Sequence, residues 1–282
     1  MQAMIITAYQ DYESLRRVVS ALSTHALCFV HVDKKCAITP EETAALDSMA
    51  NVRAIRKYKI NWGSIHHLYA LLDLCRMALE DPRVTHLHLI SAQDFPTMSA
   101  AEFDRYFEND DQIHMQYLRT KDYPELAHRY EHYHFMHLLN YRDMSEWAQN
   151  WVGRIDRFQD MLHIRRKLHV PHKGLVWLSM PRAAAEHAVD APEHKPLLLQ
   201  LRTMYIPEEF YFQNVFVGTA YEAKITGSEL RFSIWDEPER GMPALLEEDD
   251  LARIDASGCV FCRKVKTGSA LYDILERRWL GQ

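Results

Sequence analysis

No glycine-rich loop stands between the first predicted strand and the first predicted helix, which argues against a dinucleotide-binding Rossmann site. No apolar run approaches the length needed to cross a bilayer. Met4-Ile5-Ile6 is too short for a secretory signal and lacks its basic flank. These absences predict a soluble, cytoplasmic protein. A basic surplus is missing as well: the net charge is -6, unlike that of a sequence-independent nucleic-acid binder, although a local basic pocket for an anion remains compatible with it. The cysteines are odd in number (Cys28, Cys36, Cys75, Cys259 and Cys262), which predicts reduced thiols. Cys259 and Cys262 have redox-motif spacing, but the apolar run Cys259-Val260-Phe261-Cys262 reads as a buried strand. There is no internal repeat, low-complexity linker or clear domain boundary.

With 48% hydrophobic and 26% charged residues, the 282-residue chain has the composition of a globular protein with a sizeable core. Residues 3–8 form an apolar run expected of a buried strand. A helical pattern through Leu15, Val18, Val19 and Leu22 follows, then a second apolar strand from Leu27 to Asp33. This strand–helix–strand opening predicts an α/β fold with a parallel sheet. Ligands in such sheets gather beyond the carboxyl ends of the strands, where Asp33 falls. Its carboxylate suits a nucleotide's ribose or base, and equally a turn before Lys34-Lys35.

Further strands are predicted at 52–55, 85–91, 112–118, 173–179, 230–236 and 259–262. Ser64 is the expected N-cap of a helix to Leu79, and further helices are expected over 144–168, 181–189, 249–256 and 271–280. His86 and His88 share one face of their strand if it is regular. The segment His128, Tyr130, His132, Tyr133, His134 and His137 has the composition of a zinc site without a regular Cys/His framework. It suits sugar stacking too, or simple packing over the sheet. A histidine-based metallohydrolase is thus one reading of the chain, and a non-catalytic glycan-binding protein another.

In Pro207-Glu208-Glu209-Phe210-Tyr211-Phe212-Gln213 a proline suited to a helix's first turn precedes two carboxylates. Successive helical side chains point about 100° apart, so Glu208 and Glu209 cannot both face one reacting atom. That geometry favours a single general base, and the helix dipole favours its ionised form. Ordinary first-turn acids ahead of core aromatics read the same way.

Seven short motifs occur in a set order: His31-Val32-Asp33-Lys34, Trp62-Gly63-Ser64, Leu89 through Pro96, Trp177-Leu178-Ser179, Pro207 through Phe212, Leu230-Arg231-Phe232 with Trp235-Asp236, and Phe261-Cys262-Arg263-Lys264. Together, from residue 3 to about residue 264, they resemble the core-2/I-branching N-acetylglucosaminyltransferase and peptide O-xylosyltransferase family (glycosyltransferase family 14). The resemblance implies a GT-A-type nucleotide-sugar fold in one domain, with a nucleotide-binding half over about 1–120 and an acceptor half over about 121–282. It implies an inverting transferase that needs no metal and moves N-acetylglucosamine or xylose from a UDP-sugar to a glycan or glycoconjugate hydroxyl. Glu209 falls on the family's catalytic base, Arg231 and Lys264 on its two diphosphate-facing cations, and Asp33 in the stretch that holds the nucleotide. Trp62, Gln93, Asp94, Trp177 and Glu208, within the same motifs, are expected at the substrate. Glu208 stands where aspartate is common, and the stretch between Arg231 and Lys264 is longer than in the animal enzymes. The secretory anchor and cysteine pattern of those animal members are absent. No Asp-x-Asp motif ends a strand, and fixed cations can take over an ion's electrostatic role.

Overall fold

The computed structural model describes every residue except Gln10, Leu139, Tyr141 and Arg142, together with the side chain of Ala148. Ten strands are described: β1 (Gln2–Ala8), β2 (Leu27–Val32), β3 (Val52–Ile55), β4 (His86–Ser91), β5 (Asp94–Pro96), β6 (Leu118–Arg119), β7 (His172–Lys173), β8 (Ser179–Pro181), β9 (Arg231–Phe232) and β10 (Phe261–Arg263). The helices are α1 (Tyr12–Leu22), α2 (Pro40–Asp47), α3 (Ile65–Leu79), α4 (Ala100–Phe107), α5 (Ala127–Glu131), α6 (Glu146–Met161), α7 (Arg182–Asp190), α8 (Lys195–Leu201), α9 (Glu208–Phe216), α10 (Leu251–Ser257) and α11 (Ala270–Leu280). The central sheet has the order β3-β2-β1-β4-β8; its first four strands are parallel and β8 runs antiparallel to β4. This is the expected α/β class with a mostly parallel central sheet flanked by helices.

Alternation along the strands builds a core on each face of that sheet. Met4, Ile6, Cys28, Val30 and Ile90 point to one side, where α1 and α11 pack through Leu15, Val19, Leu271 and Trp279. Ala3, Ile5, Phe29, Leu87 and Leu89 point to the other, against α3, α7 and α9. Burial on both faces is why these strands read as unbroken apolar runs. A small second sheet, β5-β10-β9, is entered directly from the end of β4, and in it Arg263 pairs with Asp94.

Three expected strands prove shorter. Of residues 112–118, Ile113 and His114 make single bridges, and only Leu118 enters a strand, β6. Between β7 and β8, the apolar stretch Gly174–Leu178 leaves the sheet as a loop. At its start the Gly174 backbone packs closely on its neighbours: a Cβ there would lie 2.3 Å from the Gln116 carbonyl oxygen. Of residues 230–236, only Arg231 and Phe232 pair. Ser64 does occupy the N-cap of α3, but its hydroxyl caps nothing. Cys262 is buried at the centre of β10, and burial pushes its thiol pKa up, as for an unreactive apolar side chain. No described helix is long and apolar enough to cross a membrane.

Candidate active site

A cavity of about 600 Å³ opens at the carboxyl ends of β1, β2 and β4. Thr7 and Ala8 at the end of β1 and Tyr9 just past it line the cavity, Asp33 follows β2, and β4 ends on Ser91 with Gln93 beyond it. The Gly174–Leu178 loop supplies Leu175, Val176 and Trp177, α9 presents Glu208 and Glu209, and the end of β10 adds Arg263 and Lys264. Gly63, at φ 74°, makes the left-handed turn that sends Trp62 to the rim and starts α3. Ile206 is also left-handed, at φ 55°, and is held by its N–H donating to the Gly63 carbonyl at 2.9 Å. For a β-branched residue that conformation is strained, and it aims Pro207 and the first turn of α9 at the cavity.

The two adjacent glutamates have separate partners, as helical geometry requires. Glu208 is buried, and its Oε1 lies 3.0 Å from His67 Nδ1. His67 Nε2 in turn lies 3.3 Å from Thr7 Oγ1, so three elements converge on one polar chain. Glu209 Oε2 accepts from Arg129 Nη1 at 2.9 Å and lies 3.4 Å from Lys173 Nζ. Desolvation raises the Glu209 pKa, and Lys173 and Arg129 only partly offset it. The shift runs against the expectation that the helix's first turn favours the ionised form.

Asp33 makes turn bonds and lines the cavity. Its Oδ1 accepts from the backbone N–H groups of Lys35 (2.9 Å) and Ile60 (3.1 Å), a turn role, while the residue lines the cavity. Gln93 accepts from the Tyr9 hydroxyl at 3.0 Å, and Trp62 stands edge-on to Tyr205. Lys264 Nζ donates to the Met242 carbonyl at 3.1 Å beside the cavity.

Two expected site residues lie elsewhere. Arg231 does not line the cavity: it is buried, with Nη2 donating to the carbonyls of Leu89 (3.1 Å) and Leu178 (3.0 Å), and Nη1 donating to that of Glu229. Burial lowers its pKa to about 10, and its role is to tie β4, β9 and the loop before β8 together. Asp94 also sits beneath the cavity wall, where Oδ2 accepts from the Ser91 N–H at 2.7 Å and Oδ1 lies 3.5 Å from Arg263 Nε. Besides Lys264, the cations Lys35 and Arg263 line the cavity, and Arg263 is the one next to the Trp177 loop. Its guanidinium is stacked 4.3 Å over the Trp177 ring, and Nε and Nη1 have no hydrogen-bond acceptor among the described residues. Buried donors of this kind suit an incoming anion.

His67, Arg129 and Lys173 were not foreseen, because each meets its carboxylate across long stretches of chain. The histidines His86 and His88 do not form a metal pair. His88 is buried with Nδ1 2.8 Å from Ser179 Oγ and Nε2 3.0 Å from Gln2 Oε1, and His86 Nε2 lies 2.7 Å from the Asp110 carbonyl.

Among known proteins, no curated sequence matches the chain. Among solved structures, a 4-diphosphocytidyl-2C-methyl-D-erythritol synthase aligns over 73% of this chain and 91% of its own, at 11% identity and a TM-score of 0.33. The profile of the Core-2/I-Branching enzyme family, named Branch, matches residues 3–255. Arg263 and Lys264 lie beyond that stretch, and it is the fold that brings them to the cavity. The chain belongs to the Core-2/I-Branching enzyme family, a family of glycosyltransferases.

Proposed function

We propose that the protein transfers a sugar, N-acetylglucosamine or xylose, from a UDP-sugar to a hydroxyl of a glycan or glycoconjugate with inversion at the anomeric carbon. One observation carries this reading: the Glu209 carboxylate and the cations of Arg263 and Lys264 line the same cavity at the ends of the parallel strands. In the proposed reaction Glu209 takes the proton of the acceptor hydroxyl, and the freed oxygen attacks the anomeric carbon from the face opposite the nucleotide. The bond from that carbon to the diphosphate oxygen breaks, its electron pair leaves with UDP, and Arg263 and Lys264 offset the charge. Fixed cations in a cavity partly closed to water act as preorganised electrostatics, so the chemical step requires no ion at the diphosphate. A base whose pKa is raised by burial is well matched to proton transfer nearer neutral pH. In this reading Asp33 and Gln93, which line the cavity, contact the nucleotide, and Trp62 at the rim offers an apolar face for sugar stacking.

Glu209→Gln tests the assignment. The variant is expected to bind UDP with unchanged affinity by calorimetry and to lose transfer by at least about a hundred-fold, within the range for loss of a general base. Transfer at the wild-type rate would remove the proposed base. Added manganese is expected to leave the initial rate unchanged; a strict requirement for it would overturn the cation mechanism.

A further inference from the structure

Away from the cavity, two histidines and an aspartate converge in a way that the transferase reading does not use. Beyond α5 the chain is extended at His132 (φ -93°, ψ 158°), so His132 and His134 project to one side while Tyr133 between them faces out. Both histidines are buried at 5% exposure. They pack on α6, where Asp156, Gln159 and Asp160 occupy one face at helical spacing. The Gln159 side chain holds the segment in place, with Oε1 accepting from the Tyr133 N–H (2.8 Å) and Nε2 donating to its carbonyl (3.2 Å).

The outward nitrogens fix the tautomers. His134 Nε2 lies 2.7 Å from the His128 carbonyl, which can only accept, and His132 Nε2 lies 2.9 Å from Asp160 Oδ1. Each Nε2 therefore carries a proton, so in the neutral ring each Nδ1, on the side of Asp156, is the nitrogen with the lone pair. The Nδ1 atoms lie 3.9 Å (His132) and 3.8 Å (His134) from Asp156 Oδ1, too far for hydrogen bonds. His132 Nδ1 has no hydrogen-bond partner among the described residues. Ligand atoms of the three residues lie within 4.8 Å of one another. Tetrahedral zinc with bonds of about 2.0–2.1 Å separates its ligands by roughly 3.3 Å, so small side-chain rotations close the set.

We propose that His132 Nδ1, His134 Nδ1 and an Asp156 carboxylate oxygen bind a divalent transition ion of the zinc class, with water in the fourth position. Two imidazoles and a carboxylate are a zinc donor set, and the bonds from each Nε2 to a carboxylate or carbonyl are the outer support that ligating histidines use. The ion fastens the extended 132–134 segment to α6. No regular Cys/His spacing announces the site, because its third ligand comes from a helix further along the chain.

The test is chelator-stripped full-length protein, reloaded with zinc alone and desalted, followed by elemental analysis and by the absorption spectrum of the cobalt-loaded form. One retained zinc per chain and the visible bands of tetrahedral cobalt are expected. Both should vanish in the His132→Ala/His134→Ala double variant and persist in Glu193→Ala, which alters a second histidine cluster at His187 and His194. Asp160→Asn keeps all three ligands and should weaken zinc binding by about 10–100-fold. No retained zinc in the wild-type protein, equal retention in the double variant, or loss in Glu193→Ala would overturn the proposal. None of these readouts depends on transferase activity.

Discussion

The Arg263 guanidinium lies 4.3 Å over the Trp177 indole, and these two residues come from different sheets' margins: the end of β10 and the loop before β8. Stacking orients the planar cation without using its N–H groups, while Nε lies 3.5 Å from Asp94 Oδ1 on the inner side. Arg263→Ala should lower UDP affinity by about 10–100-fold, the scale of hydrogen bonds to charged groups. Trp177→Leu should cost less, about 2–30-fold, since it removes only the stacking. Calorimetric UDP titration of both variants decides; unchanged affinity in Arg263→Ala would take the residue out of the nucleotide site.

The raised pKa of Glu209 has a visible consequence for rate. A base works only when deprotonated, so kcat/KM should fall as pH drops through its pKa, with a limb above the ordinary value of 4.5. Arg129→Met removes a cation that holds the pKa down, so the limb should move to higher pH while the alkaline plateau stays active. A pH–rate profile with its limb unmoved, or shifted downward, would contradict the assignment.

Arg231 and Lys264 should behave oppositely. Arg231→Met removes the buried side-chain donor to the Leu89 carbonyl and leaves the Leu178 carbonyl with the Leu89 N–H alone, at a cost of about 1–3 kcal/mol of stability. UDP affinity should be unaffected as long as the protein is folded. Lys264→Ala should do the reverse, with a near-native urea midpoint and weaker UDP binding. A UDP-binding defect in folded Arg231→Met would return that residue to the diphosphate.

His67→Ala should destabilise the fold by about 1–3 kcal/mol, because Glu208 then loses its partner in a buried position. Glu208→Gln should recover part of that loss by removing the orphaned charge. Urea denaturation of the two single variants and the double variant measures the coupling; strict additivity would mean that the pair at 3.0 Å contributes nothing.

The sequence makes some of this visible and hides the rest for physical reasons. β1, β2 and β4 are legible because burial on both faces forces unbroken apolar runs. The apolar residues 174–178 imitate such a run, yet the Leu178 carbonyl is satisfied by the Leu89 N–H and Arg231 without a continuous ladder. Arg231 misleads because a cation in a short strand looks the same whether it turns inward to carbonyls or outward to phosphate. Glu209 and Lys264 are legible through their motifs. His67 is 141 residues from Glu208, and Arg129 is 80 from Glu209, so no local pattern joins them.

One short loop brings the two ends of the cavity into mechanical contact. The Gly174 N–H donates to the Glu209 carbonyl at 2.8 Å, and three residues later Trp177 bears the Arg263 cation. The backbone of Glu209 and the side chain of Arg263 thus rest on one four-residue stretch of chain. Altering what is admitted beside Glu209 would also readjust the grip on whatever lies beside Arg263, so the two preferences of such a cavity would have to evolve in concert.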